Sequence, residues 1–283
     1  MTTENQWTIQ PAGKHDRARL QHMITHARWK HQHLDWYRAA ELLEQQPFLI
    51  ALENGNPIAC LACPPDPPDV AWIRLCLVSP ATRPEIAWER LWPRAAELAR
   101  DHRANQTAAL IIGRWLDPLL RRHGFEHTTD VMFLDWLEAN PPPAPPLEGR
   151  LRTMRSSDLD AVAEVDQRAF EDIWRLSRST LYQAFRSSSY ASLVEQTGGP
   201  VGYQITTRSP YGGHIARLAV HPDHQSLGIG GALVADVLHR LSPSGSARVT
   251  VNTQVDNDRS LRLYKRLGFR ETDSSHPVYR RKL

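Results

Sequence analysis

HPDHQSLGIGGALVADVLHRL, His221 to Leu241, sets Gly228, Gly230 and Gly231 at the head of an unbroken helical pattern. Ile229, Leu233, Val237 and Leu241 recur every fourth residue with Val234 and Leu238 beside them, the apolar stripe of a core-facing helix. The glycines therefore stand at a helix N-terminus, where the first amides lack intrahelical partners and the helix dipole is positive. Without Cβ atoms they allow close approach to the main chain, and a phosphate or pyrophosphate is the natural guest there. Glycine spacing alone leaves a second reading open, a tight turn that packs a helix onto a strand.

At 283 residues the chain is long enough for two ordinary domains, each with its own core. No apolar run reaches bilayer length, and MTTENQWTIQ lacks the basic and apolar regions of a signal peptide, so a cytoplasmic protein without membrane contact is expected. Cys60, Cys63 and Cys76 fit a reducing compartment. Cys60 and Cys63 have the spacing of half a zinc site without a second half, and read as small strand fillers, so no metal is expected. The formal charge of +3 is spread along the chain, which argues against nucleic acid and suits an anionic cofactor.

Asn140-PPPAPP-Leu147 is the clearest seam, because consecutive prolines favour polyproline II and forbid a helix. It sets residues 1–140 apart from 147–283, with 141–146 as linker, and the two sides resemble each other. TIQPAGKHDRARLQHM pairs with LRTMRSSDLDAVAEV, FLIALENGNPIACLA with SLVEQTGGPVGYQIT, WIRLCLVSP with HIARLAVHP, and LLRRHGFEHTTDVMFLDW with LYKRLGFRETDSSHPVYR. Pro57 answers to Pro200, Pro80 to Pro222 and Gly124 to Gly268. Each copy reads strand, one or two helices, antiparallel strands, helix, strand, short helix and final strand. The expected class is mixed α/β, two tandem domains whose helices flank a mostly antiparallel sheet.

The copies differ at the glycine loop. After LVSP the first half continues ATRPEIAWERLWPRAAELAR, with no glycine at the positions of Gly228 or Gly230 and with Pro84 where open amides are needed. Eight of the nine tryptophans, Trp7, Trp29, Trp36, Trp72, Trp88, Trp92, Trp115 and Trp136, lie in that half and read as core.

Residues 220–234, VHPDHQSLGIGGALV, resemble the acetyl-CoA signature of the GCN5-related N-acetyltransferases (GNAT), Gln/Arg-x-x-Gly-x-Gly/Ala, met here as Gln225-Ser-Leu-Gly228-Ile-Gly230. VNTQVDNDRSLRLYKRLGF resembles the second signature, with Asn257, Ser260, Leu263, Tyr264, Gly268 and Phe269 in place. The resemblance covers residues 147–283 and, more weakly, 1–140, and implies a tandem acetyltransferase with a degenerate first copy. It implies that the amides of Gln225, Ser226, Leu227, Gly228, Ile229, Gly230 and Gly231 receive the pyrophosphate of acetyl-CoA, that Leu218, Ala219 and Val220 pair with its pantetheine arm, and that Asn257 hydrogen-bonds it.

Acyl transfer from a thioester needs a deprotonated amine and a proton for the departing thiolate. The resemblance gives the acid role to Tyr264, whose phenol, with an ordinary pKa of about 10, is protonated at neutral pH. Leu120 matches it in the first half and cannot donate a proton. The glutamate carried by many relatives twelve residues before the tyrosine is here Asn252; where others place a glutamate on the preceding strand stands His214, a second catalytic candidate. Arg217 on that strand reads as a guide for an acidic acceptor or as a solvated side chain. Family acceptor pockets are built from the first helices and their loop, here RAFEDIWRLSRSTLYQAF, so Phe170, Trp174 and Asn252 are candidate acceptor contacts. AEVDQRAFEDIW resembles the matching stretch of ribosomal-protein N-acetyltransferases, which points to a peptide N-terminus. His22 and His26, near His31 and His33, share a helix face without the carboxylates of a metal enzyme and read as exposed. The leading expectation is an acetyl-CoA-dependent N-acetyltransferase active in its C-terminal domain. A mycothiol-synthase-like enzyme acting on a small amine and a non-catalytic acyl-CoA sensor are the other readings, and a monomer and a homodimer are equally open.

Overall fold

A computed structural model describes residues 7–241 and 248–283; Met1–Gln6, the start of the stretch read above for a leader, lies outside them. The chain divides into two compact units, one of residues 1–128 with 276–283, the other of residues 129–275. This differs from a boundary at the proline run. The reason lies in two long strands, β8 (Glu126–Trp136) and β14 (Arg270–Lys282), each following one copy in sequence but hydrogen-bonded beyond it. Val278–Lys282 of β14 pairs with β7 (Gln106–Leu110) in the first unit, and Val131–Trp136 of β8 pairs with β13 (Val249–Gln254) in the second. The prolines belong to the second unit, where the Pro142 carbonyl accepts from His239 Nε2 at 3.0 Å.

In the first unit β1 (Trp7–Pro11), β3 (Phe48–Glu53), β4 (Asn56–Ala62), β6 (Leu75–Val78) and β2 (Trp29–Gln32) form an antiparallel sheet in that order. β5 (Val70–Trp72) pairs in parallel with β7. Asn54 and Gly55, with φ of 51° and 79°, make the tight β3–β4 turn that left-handed residues favour. α1 (Arg17–His26) packs Leu20 and Met23 against Phe48, Ile50 and Cys60 on one face; α2 (Pro84–Asp101) packs Trp88, Leu91 and Trp92 on the other, joined by Leu119 and Leu120 of α3 (Asp117–Arg122). Trp88 and Trp92 stack at 5.3 Å, so these tryptophans are core. Trp7 and Trp29 instead line a cleft of about 400 Å³ with Pro80–Arg83, Ile86 and Arg90.

The second unit orders β8, β13, β12 (Gly212–Val220), β11 (Gly199–Ser209), β10 (Tyr190–Gln196) and β9 (Arg150–Thr153). α4 (Leu159–Ala169) and α5 (Arg178–Ser187) lie on one face, with Ser177 Oγ capping α5 by accepting the Thr180 amide at 3.1 Å. α6 (Ile229–Leu241) lies on the other with α7 (Asp258–Arg266). Leu233, Val234, Val237 and Leu238 are fully buried, as the four-residue repeat predicts, and each large-to-small change there costs about 2–5 kcal/mol. Among the described residues no helix is long and apolar enough to cross a membrane. The three cysteines are buried and unpaired, and burial pushes the Cys60 and Cys63 thiols up to about 12.

Candidate functional site

The centre of the second unit is a split in its sheet. Arg217 stands opposite Ile205 and Ile215 opposite Thr206, so Ala216 is an extra residue, a β-bulge. The parallel pairing of β12 with β13 joins Gly213, His214 and Ile215 to Val249, Thr250 and Val251 and stops there. Arg217 to Val220 is held by β11 alone, while Asn252 to Gln254 is held from its far side by β8. The facing edges present backbone donors and acceptors with no strand between them, as an extended ligand with its own amides requires. The edge lies at Leu218, Ala219 and Val220, the stretch for which the family resemblance implies contact with a pantetheine arm.

The glycine loop follows directly. Gln225 Nε2 donates to the Val220 carbonyl at 3.0 Å, tying the loop back to its strand. Ser226 and Gly228 take positive φ, 67° and 82°, and the first helical bond of α6 runs from the Ala232 amide to the Gly228 carbonyl at 2.9 Å. None of the amides from Ser226 to Gly231 donates to a described residue, which leaves the α6 N-terminus open to an anion. A Cβ on Gly230 would come within 3.1 Å of Leu263 Cδ2, and one on Gly231 within 3.3 Å of Pro145 Cγ. The glycines thus serve close packing and also leave the amides open. These residues fit the pyrophosphate and pantetheine of acetyl-CoA.

Ile215, Val249 and Val251 point into the α6 core, so strand alternation puts His214, Thr250 and Asn252 on the opposite face. His214 Nδ1 lies 2.7 Å from Thr250 Oγ1, which in turn faces the Gly213 carbonyl at 3.4 Å. Burial lowers the His214 pKa below its ordinary value, against the opposing pull of Thr250 and Asn252. Phe133 flanks the ring at 6.5 Å between centroids. Tyr264 is 4% exposed, packs with Val251 and Phe269 on the α6 side, and holds its hydroxyl without a hydrogen-bond partner among the described residues. Burial pushes its pKa well above 10, so the hydroxyl stays protonated. The two catalytic candidates stand on opposite faces of the split sheet. Asn257 caps α7, its Oδ1 accepting the Ser260 amide at 3.1 Å, with Nδ2 3.4 Å from Gln254 Oε1.

Arg217 is neither solvated nor turned to an acceptor. Its guanidinium pairs with Asp166, which is fully buried on α4, and it covers the ring of Phe170 at 3.5 Å. Trp174 is half-buried beside it, its carbonyl accepting from Arg217 Nη2 at 2.7 Å. Sequence reasoning passed over Asp166; the available signal was a carboxylate beside Leu159, Val162 and Val165 on a helix's apolar stripe.

The first unit has the same split and fills it. The strand breaks at Ile73–Arg74: β5 runs parallel to β7, and β6 diverges. Here β2 enters, pairing Trp29 with Val78, Lys30 with Leu77, His31 with Cys76 and Gln32 with Leu75. β2 falls where the second unit has the segment between its first two helices, and the edge matching Leu218–Val220 is sealed by the chain's own backbone. α2 begins with Pro84, and Leu120 is fully buried.

Residues 159–269 match the model of the acetyltransferase (GNAT) family. The [ribosomal protein bS18]-alanine N-acetyltransferase of Escherichia coli (strain K12) is 26% identical over 129 residues, 46% of this chain and 86% of that protein. A mycothiol acetyltransferase of Saccharopolyspora erythraea is 29% identical over 136 residues, 44% of each chain. In fold, a tandem GNAT protein from the clavulanic acid biosynthesis pathway superposes with a TM-score of 0.64 at 19% identity, covering 98% of both chains. The split strand and the open helix terminus both fall within residues 159–269, the stretch that matches the GNAT acetyltransferases, a family whose acyl donor is acetyl-CoA.

Proposed function

We propose that the protein is an acetyl-CoA-dependent N-acetyltransferase with one working site, in its second unit, transferring acetyl to a primary amine. The observation that carries this reading is the unpaired edge of Leu218–Val220 leading into the free amides of Ser226–Gly231. Those amides, the strand edge and Asn257 would hold the donor. Bound there, acetyl-CoA supplies an acetyl group already activated as a thioester. Tyr264 keeps a proton on its hydroxyl for release beside the split. His214 supplies the base: with the Thr250 hydroxyl directed at the Gly213 carbonyl, Thr250 Oγ1 accepts from Nδ1–H, and Nε2 is left to take a proton from the amine directly or through water. Asn252 stands where many relatives carry a carboxylate, and its neutral amide cannot take the proton in place of His214.

Phe170 and Trp174 border the acceptor side. The likeness to a ribosomal-protein N-acetyltransferase supports a peptide N-terminus as acceptor, and the tandem architecture supports a small amine as the second reading. The buried, unpaired cysteines are compatible with work in the reducing cytoplasm. Calorimetric titration with acetyl-CoA, followed by thiol release with alanine-initiated peptides and small amines, tests the proposal. One site per chain with amine-dependent thiol release is expected. Binding without release would leave a sensor, and two sites or none would overturn the single-site reading.

A further inference from the structure

Arg217 is the first residue after the bulge, on the part of β12 that borders the split. Its Nε and Nη2 each reach a separate oxygen of Asp166 at 2.8 Å. The same guanidinium donates to the Trp174 carbonyl and covers Phe170, while Asp166 Oδ1 accepts the Leu176 amide at 2.8 Å and Oδ2 accepts the Tyr203 hydroxyl. Asp166 and Tyr203 are fully buried. One ion pair therefore fastens Phe170, Trp174 and Leu176 to the border of the split. A fork of this kind needs arginine, since a lysine point charge cannot make both bonds and stack on the ring.

The first unit repeats the device with other residues. Arg74, at its strand break, pairs with Asp35 and lies 3.7 Å from Asp66, with Tyr37 under the guanidinium at 5.4 Å. Its carbonyl accepts the His33 amide at 2.8 Å, so this arginine holds the segment that follows β2. In each unit an arginine at the break grips the segment that decides what borders the split.

We infer that Asp166 and Arg217 are positioning residues that hold Phe170–Leu176 as a preset wall for the incoming amine, selecting the acceptor without touching the acyl donor. The inference rests on the acetyltransferase reading above. Arg217→Lys and Asp166→Asn in the full chain, with Phe170→Leu as the variant that keeps the ion pair, test it. Hydrogen exchange across residues 170–177 is expected to quicken about tenfold in the first two, with acetyl-CoA affinity unchanged within about twofold. With alanine-initiated peptides as probe, KM is expected to rise about tenfold while kcat stays within about threefold, and Phe170→Leu is expected to give a smaller rise in KM. Unchanged exchange, or an acetyl-CoA affinity that falls with the acceptor KM, overturns the inference. Should the native protein transfer to no amine, the acetyltransferase reading fails separately, and the exchange and titration results still decide whether the pair is a clamp.

Discussion

The two units split their sheets at the same point and then do opposite things with the opening. In the second, the bulge at Ala216 parts β12 from β13 and leaves Leu218–Val220 without a partner strand on that side. In the first, Trp29–Gln32 lies along Leu75–Val78 residue for residue, so a strand of protein occupies the edge a cofactor would use. The first copy thus differs from the second by more than its lost glycines. Unpaired edge groups are unfavourable when buried, and the first copy satisfies them internally.

The sharpest way to break this comparison is to close the open split. Replacing Gly228 and Gly230 with valine or leucine forces a side chain into a positive φ and another toward Leu263, and we expect acetyl-CoA affinity to fall by about a hundredfold or more. Pro84→Gly in the first unit is expected to add no second site, because β2 still fills that opening; titration of both variants decides.

The next effect concerns the plug. Burial, the largest influence, lowers His31 and His33 to about 4, with Asp35 opposing and Arg74 adding for His33. Nδ1 of each is buried without a partner. Their neutral forms are favoured by the fold, so the unfolded chain binds more protons between pH 6.5 and about 4, and stability is lost as pH falls through that window. The loss is on the order of 3 kcal/mol for each ring at the acid end. Denaturant melts at pH 7 and pH 4.5 are expected to show it, and His31→Asn with His33→Asn to reduce it; an unchanged midpoint would count against the buried pair.

Tyr264→Phe keeps the ring packing and removes only a hydroxyl that has no partner among the described residues, so stability is expected to hold while kcat falls about a hundredfold. An unchanged kcat at saturating amine removes the tyrosine from the mechanism. For His214, a base whose pKa burial lowers, the acid limb of kcat/KM is expected below pH 6.5, activity being lost as the ring gains a proton, and His214→Gln is expected to flatten that limb.

The smallest effect separates two roles of Asn257. Asn257→Ala removes the α7 cap and is expected to cost about 1 kcal/mol, read as a lower melting midpoint. Asn257→Asp keeps the cap; a weaker acetyl-CoA affinity in that variant marks a direct contact through Nδ2.

Much of this was legible beforehand. Periodicity and the glycine cluster located α6 and its open terminus, and matching prolines and glycines exposed the duplication, because these depend on local backbone preference. The unit boundary was not, since Val278–Lys282 and Val131–Trp136 choose partners by long-range pairing that no local pattern records. Arg217 read as a free charge because its partner, Asp166, lies fifty-one residues earlier. The sequence alone determined that one copy keeps a glycine-headed helix terminus and the other does not. The tertiary structure decided that the first copy's opening is filled by its own strand and that the second's is bordered by a clamped loop. Both outcomes are satisfied hydrogen bonds and ion pairs between residues far apart in the chain, and those form only when the sheet assembles.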